Sequence, residues 1–311
     1  MRFAQQKIEA CVEFCLEIRE PHLNIRHAGA DVAQPGIIDE DTDQDRQHRR
    51  HGREDDCEDL SIGHFLLPVS HPFQHVAIFS FFVRCKIERM HKTDILSAIF
   101  DIGIVPVVRT ESAESAIKAI QAIYRGGIRA AEITMTVPGA LRALEKVADE
   151  FGDRIVLGAG TVLDSETARS CMLAGAEFFV TPSLRLSTIE MAQRYGKPIM
   201  AGALTPTEIL TAWESGADAI KVFPCGQVGG PKYIKAIRAP FPHIHLVPTG
   251  GVNLETTAEF LKAGARAVGV GGELIDSANI RGGHYEIFEE RAQRFLEVVA
   301  KTRALIRGAT A

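Results

Sequence analysis

Two apolar, strand-like runs carry an ionisable residue where a buried strand would carry a hydrocarbon. In Ala219-Ile-Lys-Val-Phe-Pro224, side chains alternate, so Ala219, Lys221 and Phe223 share one face and Ile220 and Val222 the other. The branched pair suits packing against helices, which predicts that Lys221 points inward. An amine in a water-poor interior has its charged form disfavoured, and the neutral amine is a nucleophile able to condense with a carbonyl. In Ala131-Glu-Ile-Thr-Met-Thr136, Glu132, Thr134 and Thr136 share a face, with Ile133 and Met135 opposite. A buried carboxylate needs a partner, and an inward Lys221 supplies one. Desolvation would raise the pKa of Glu132 towards a range useful for moving protons. The plainer readings are a lysine reaching solvent from a strand end and a structural ion pair, and the pattern alone leaves both open.

Other groups fall at the ends of neighbouring runs. Val107-Val-Arg109 ends in a guanidinium whose planar fork suits a carboxylate or phosphate. Gly158-Ala-Gly-Thr161 offers close backbone approach at Gly160 and a hydroxyl at Thr161. The pairs in Thr249-Gly250-Gly251 and Gly271-Gly272 suit a phosphate or another anion in the two loops where barrels often hold one.

The elements that must position these groups repeat. From residue 103 onward, short β-rich runs alternate with helical periods. The strands expected are Gly103–Arg109, Ala130–Thr136, Ile155–Val162, Phe178–Ser183, Ile199–Leu204, Ala219–Pro224, His245–Gly251 and Ala267–Gly272. Helices such as Ala113–Tyr124 lie between them, and Gly126, Gly175, Gly216 and Gly264 suit left-handed helix caps. The fragments Leu173-Ala-Gly-Ala, Ser215-Gly-Ala-Asp and Lys262-Ala-Gly-Ala recur just before the next strand, a weak internal repeat. Eight strands in about 170 residues, with no GxGxxG after the first, predict a closed α/β (β/α)8 TIM barrel whose chemistry sits at the C-terminal strand ends. The helix Tyr285–Ile306 is expected to cover the barrel.

Composition divides the chain at Met90. Residues 1–89 hold four of the six cysteines and seven of the eleven histidines, and the run Asp39–Arg53 is almost wholly polar. Such a segment cannot bury enough apolar surface to offset the entropy of ordering. The expectation is a disordered or mis-assigned N-terminal extension over 1–89 and a barrel domain over 90–311. His48, His51, Cys57 and His64 match no metal-site spacing, so no metal is expected. A net charge of -5 without a basic, aromatic-laced patch excludes a nucleic-acid footprint. With no secretory signal, and no apolar run longer than Val76–Val83, the chain reads as cytoplasmic with no membrane partner. Cys171 has only bland explanations, while Cys225, beside Pro224, is placed near the mouth and accessible, with nothing to activate it.

Taken together, Val105-Pro-Val-Val-Arg109, Glu132-Ile-Thr134, Gly158-Ala-Gly-Thr-Val162, Lys221-Val-Phe-Pro224 and Pro248-Thr-Gly-Gly251 resemble the KDPG/KHG aldolase family over about residues 95–275. The resemblance implies a class I lyase with Lys221 as the Schiff-base lysine and Glu132 as general acid/base. It places the pyruvate carboxylate against Gly160 and Thr161 with Arg109 nearby, between Pro182 and Phe223. It also implies a keto-acid substrate, phosphorylated or not, neither metal nor organic cofactor, and a homotrimer. Thr136 departs from members with arginine there, and Gly271-Gly272-Glu273 departs from members with serine in that turn. A carboxylate at Glu273 would repel phosphate if it faced the site. Two alternatives remain: a phosphate-binding barrel epimerase or isomerase, in which a Schiff-base lysine would be idle, and a catalytically silent binder of a keto acid or phosphosugar.

Overall fold

The computed structural model describes residues 91–308. The extension 1–89, with His48, His51, Cys57 and His64, lies outside the described residues. Eight strands follow in chain order: β1 Ile104–Val108, β2 Ala130–Thr134, β3 Val156–Gly160, β4 Phe178–Val180, β5 Ile199–Ala203, β6 Ala219–Val222, β7 Leu246–Pro248 and β8 Val268–Val270. They form one sheet in the order β7-β6-β5-β4-β3-β2-β1-β8, every pairing between named strands being parallel. A parallel bridge between Thr249 and Gly269 joins the two ends, so the sheet closes into the expected (β/α)8 barrel. Every strand residue is buried, as expected where helices cover one face and the barrel interior the other.

The strands end earlier than the apolar runs do. Residues after β3 and β7 leave the extended region, with φ of 54° at Thr161, 87° at Gly250 and 77° at Gly251. These residues are the rim of the barrel, not its staves.

The helices are α1 Lys92–Ile102, α2 Ala113–Arg125, α3 Ala140–Phe151, α4 Ser165–Leu173, α5 Leu186–Arg194, α6 Pro206–Glu214, α7 Pro231–Arg238, α8 Leu254–Lys262, α9 Ser277–Gly282 and α10 Glu286–Gly308. Several of their starts carry side-chain caps that the sequence supplies. Ser112 accepts from the Ser115 amide, Asp164 from that of Thr167, and Thr205 and Glu208 form a reciprocal box at α6.

Two cores divide the labour. Outward strand residues such as Ile133, Ala159, Ile220 and Val222 pack with the helices. Inward residues such as Val105, Val156, Phe178, Met200, Ala219 and Val247 pack with Ile95, Ile99 and Phe100 of α1. Helix α1 therefore plugs the N-terminal end of the barrel and leaves the C-terminal end open. Nothing in the strand pattern announces this plug, although Ile95 and Ile99 have helical spacing. The last helix, expected to cover the barrel, takes a place in the outer ring. It packs on α2 and α8 through Phe288, Ala292, Phe295 and Val299.

One glycine assignment is corrected. Gly175, Gly216 and Gly264 have the positive φ expected of left-handed caps, but Gly126 has φ -71° and Gly127 takes the left-handed turn at 99°. Gly126 is glycine because α10 crosses it: a Cβ there would stand 2.5 Å from the Glu289 carbonyl oxygen and 2.6 Å from the Ala292 Cβ. The crowding is tertiary, and local sequence cannot reveal it.

Candidate active site

The alternation of β2 and β6 turns Glu132 and Lys221 into the barrel, as the sequence pattern predicts. Both are buried, and Lys221 Nζ lies 3.7 Å from Glu132 Oε1. This is ion-pair range but longer than a charge-assisted hydrogen bond, which would bring N and O to about 2.8 Å. Glu132 Oε1 has no hydrogen-bond partner among the described residues. A buried carboxylate oxygen left unpaired is costly and uncommon in native proteins, and such groups concentrate where chemistry is done. Burial pushes the Glu132 carboxyl above its ordinary value, against the pull of the Lys221 and Arg109 charges. The plain solvent-reaching lysine is excluded by this burial.

The pair sits in a small chamber walled by Val105, Val107, Val180, Met200, Val247, Thr249 and Gly269. Its volume of about 10 Å³ is close to that of one water probe. Gly160 shapes the chamber from β3, because a Cβ there would come within 2.6 Å of Glu132 Oε1 and 2.7 Å of its Cδ. The glycine of the GAGT run thus makes room for the carboxylate. Gly158 does the same for the Phe178 ring, which fills the barrel below.

Outside the chamber lies a cleft of about 530 Å³, within the usual range for small-molecule sites. It shares Val107, Thr249 and Gly269 with the chamber. Arg109, Phe223, Thr249, Gly250, Gly251, Gly271 and Gly272 all line it, so seven of the expected site residues meet there. Phe223 also reaches the chamber mouth, its ring centre 5.6 Å from Lys221 Nζ. The peptide Phe223–Pro224 is cis.

Three expected residues stand apart: Gly160, which backs Glu132 from β3, Thr161 and Pro182 are not among the residues lining the chamber or the cleft. Thr161 nevertheless holds φ 54°, a region a β-branched residue rarely enters, directly after Gly160. Pro182 packs against β5, where any side chain at Gly202 would collide with its backbone. The cleft further contains Asn253, Glu273, Asp276 and Ser277. Asp276 caps α9 by accepting from the Asn279 amide. Cys225 is not accessible as expected. It is fully buried, its Sγ lies 3.8 Å from the Gly230 carbonyl oxygen, and burial pushes its thiol up to about 12. Cys171 is buried likewise, its thiol also pushed up to about 12.

Comparison with known proteins agrees with this geometry. The family described as KDPG and KHG aldolase matches residues 95–290. A 2-dehydro-3-deoxy-phosphogluconate aldolase of Treponema pallidum is 33% identical over 206 residues, covering 66% of this chain and 97% of that protein. A 2-dehydro-3-deoxy-6-phosphogalactonate aldolase of Escherichia coli is 34% identical over 174 residues, covering 56% of this chain and 84% of that protein. Among solved structures, a KDPG aldolase of Legionella pneumophila, captured with pyruvate as a covalent carbinolamine, superposes with a TM-score of 0.60. It is 27% identical, and the match covers 66% of this chain and 97% of that one. With a match over most of the barrel, the chain belongs to the KDPG and KHG aldolase family, a family of carbon–carbon lyases.

Proposed function

We propose that this chain is a class I aldolase that cleaves a 4-hydroxy-2-oxo acid to pyruvate and an aldehyde through a Schiff base on Lys221. The observation that carries the reading is the buried pair, Lys221 Nζ 3.7 Å from an otherwise unpartnered Glu132 oxygen, at the open end of a barrel. The Lys221 amine attacks the C2 carbonyl of the substrate and expels water, giving an iminium. Glu132 takes the proton of the C4 hydroxyl, the C3–C4 bond breaks, and its electrons pass into the iminium to leave an enamine. The aldehyde departs, C3 takes a proton, and water hydrolyses the new iminium to pyruvate and free Lys221. A carboxyl raised by burial suits both halves of that proton traffic. The chamber beside the pair has room for about one water next to the Glu132 carboxyl.

The pyruvate carboxylate has Arg109 as the cationic group of the cleft wall, with the Gly160–Thr161 turn beside Glu132. The relatives' names point to 2-keto-3-deoxy-6-phosphogluconate, cleaved to pyruvate and glyceraldehyde 3-phosphate. The family's name adds 4-hydroxy-2-oxoglutarate, cleaved to pyruvate and glyoxylate. Release of pyruvate from these substrates by the full chain, abolished in Lys221→Met, tests the assignment. Turnover surviving in that variant would refute it. A silent binder has no use for a buried reactive amine, and an epimerase would leave Lys221 idle.

Within the same reading the enzyme is a cytoplasmic homotrimer. No helix among the described residues is long and apolar enough to cross a membrane. Leu163 and Leu186 are 50% and 51% exposed beside Arg185, whose Nε donates to the Leu163 carbonyl, and they offer apolar surface for a subunit contact. Light scattering after gel filtration is expected to give the mass of three chains, and a monomer mass would refute the trimer.

A further inference from the structure

The outer cleft ends on the β8 side at Gly271-Gly272-Glu273. Beside Gly271 and Gly272 there is open space where a side chain would stand, so a ligand can approach the backbone amides closely. The third residue of the turn is a carboxylate. Glu273 is exposed, lines the cleft, and has no ion-pair or hydrogen-bond partner among the described residues.

The two helix starts that border the cleft are already capped by the chain's own side chains. The start of α9 is capped by Asp276, which accepts the Asn279 amide at 2.9 Å, the Asn279 side-chain amide at 2.6 Å and Arg291 Nη1 at 2.7 Å. A carboxylate of the chain's own therefore sits where an anion would. At the start of α8, Asn253 Oδ1 takes the amides of Glu255 and Thr256 at 3.0 and 2.8 Å. Arg109 is the sole Lys or Arg among the residues lining the cleft, and its charge also acts on Glu132 in the chamber.

The two ligand chemistries differ against such a wall. A phosphate ester bears negative charge and offers only acceptors, so Glu273 repels it and has nothing to accept from it. A hydroxyl both donates and accepts: it can take a glycine amide and give its own proton to Glu273. Resting on the aldolase reading above, we propose that Glu273 and the Gly271–Gly272 turn select an uncharged, hydroxyl-bearing aldehyde portion. The preferred substrate is then an unphosphorylated 2-keto-3-deoxy sugar acid. Glu273 sets specificity, while Lys221 and Glu132 do the chemistry.

The test compares kcat/KM of the full chain on 2-keto-3-deoxygluconate and on its 6-phosphate, and on the corresponding galactonate pair. It is run for wild type, Glu273→Gln and Glu273→Ser. Wild type is expected to favour the unphosphorylated acid of whichever pair it cleaves. Both variants are expected to shift the ratio towards the phosphorylated acid by about tenfold, equivalent to ~1.4 kcal/mol. The isosteric Gln separates loss of charge from loss of volume. A wild-type preference for the phosphorylated acid, or a ratio unchanged in both variants, overturns the inference. Borohydride capture of pyruvate by wild type is run in parallel and reports on the aldolase reading alone. An adduct together with a failed preference removes only this inference, whereas no adduct removes the reading beneath it as well.

Discussion

Substituting Gly160 by alanine isolates the position of Glu132 from its chemistry. The variant keeps every ionisable group, and the φ of Gly160 is not in the left-handed region, so alanine suits the backbone. Its Cβ would stand 2.6 Å from Glu132 Oε1, where ordinary contact begins near 3.4 Å, so the carboxylate must retreat by about 0.8 Å. Burial on every side means that it cannot swing out to solvent. A misplacement of about 1 Å at a reacting group can cost on the order of a hundredfold in rate. Gly160→Ala is therefore expected to lower kcat about a hundredfold in a coupled pyruvate-release assay. Folding cost is expected to stay within the roughly 1–3 kcal/mol typical of overpacking. Lys221 is untouched, so the variant should still be captured with pyruvate by borohydride. A Gly160→Ala enzyme with wild-type kcat would show that the Glu132 position is irrelevant to the rate-limiting chemistry.

Other expectations follow from the same packing. Lys221→Met leaves Glu132 as a buried carboxylate without its cation, a loss of about 3–5 kcal/mol when the group is ionised. Because the folded pKa of Glu132 is already raised above its unfolded 4.5 and the variant raises it further, stability is retained at low pH, where the group is protonated, and is lost as pH rises through the folded value. Thermal melts should therefore show the deficit of Lys221→Met widening from pH 5 to pH 8, and a constant deficit would contradict an ionised, buried Glu132. Wild-type kcat/KM should show an acid limb lying above 4.5, and a limb at or below that value would mean that the raised carboxyl is not the working base. Gly158→Ala drives a methyl into the fully buried Phe178 ring and is expected to destabilise by about 1–3 kcal/mol, read as a lowered Tm. An unchanged Tm would mean that the barrel interior is looser than described.

Much of this was legible in the chain, and the parts that were not have physical causes. All eight strands announce themselves because each is a short apolar run ended by polar or glycine residues. The inward direction of Lys221 and Glu132 follows from two-residue alternation with Ile220, Val222 and Ile133 on the opposite face. Strand ends were overrun at Thr161 and Gly250–Gly251 because the rim is as apolar and glycine-rich as the staves, and only φ tells them apart. The α1 plug was missed since its signal, Ile95 and Ile99 one turn apart, is short and lies next to the compositionally odd extension. Gly126, Gly158 and Gly160 are glycine because distant residues crowd them, and Cys225 is buried because α7 and the Gly230 turn fold over it. Such facts belong to packing, and no local pattern carries them.

The central claim, a covalent bond between Lys221 and the keto carbon, is tested most directly by borohydride reduction of the full chain in the presence of pyruvate, followed by peptide mapping. One reduced pyruvyl adduct is expected, on Lys221 and absent from Lys221→Met. A folded protein that forms no adduct, or forms it on another lysine, would contradict it.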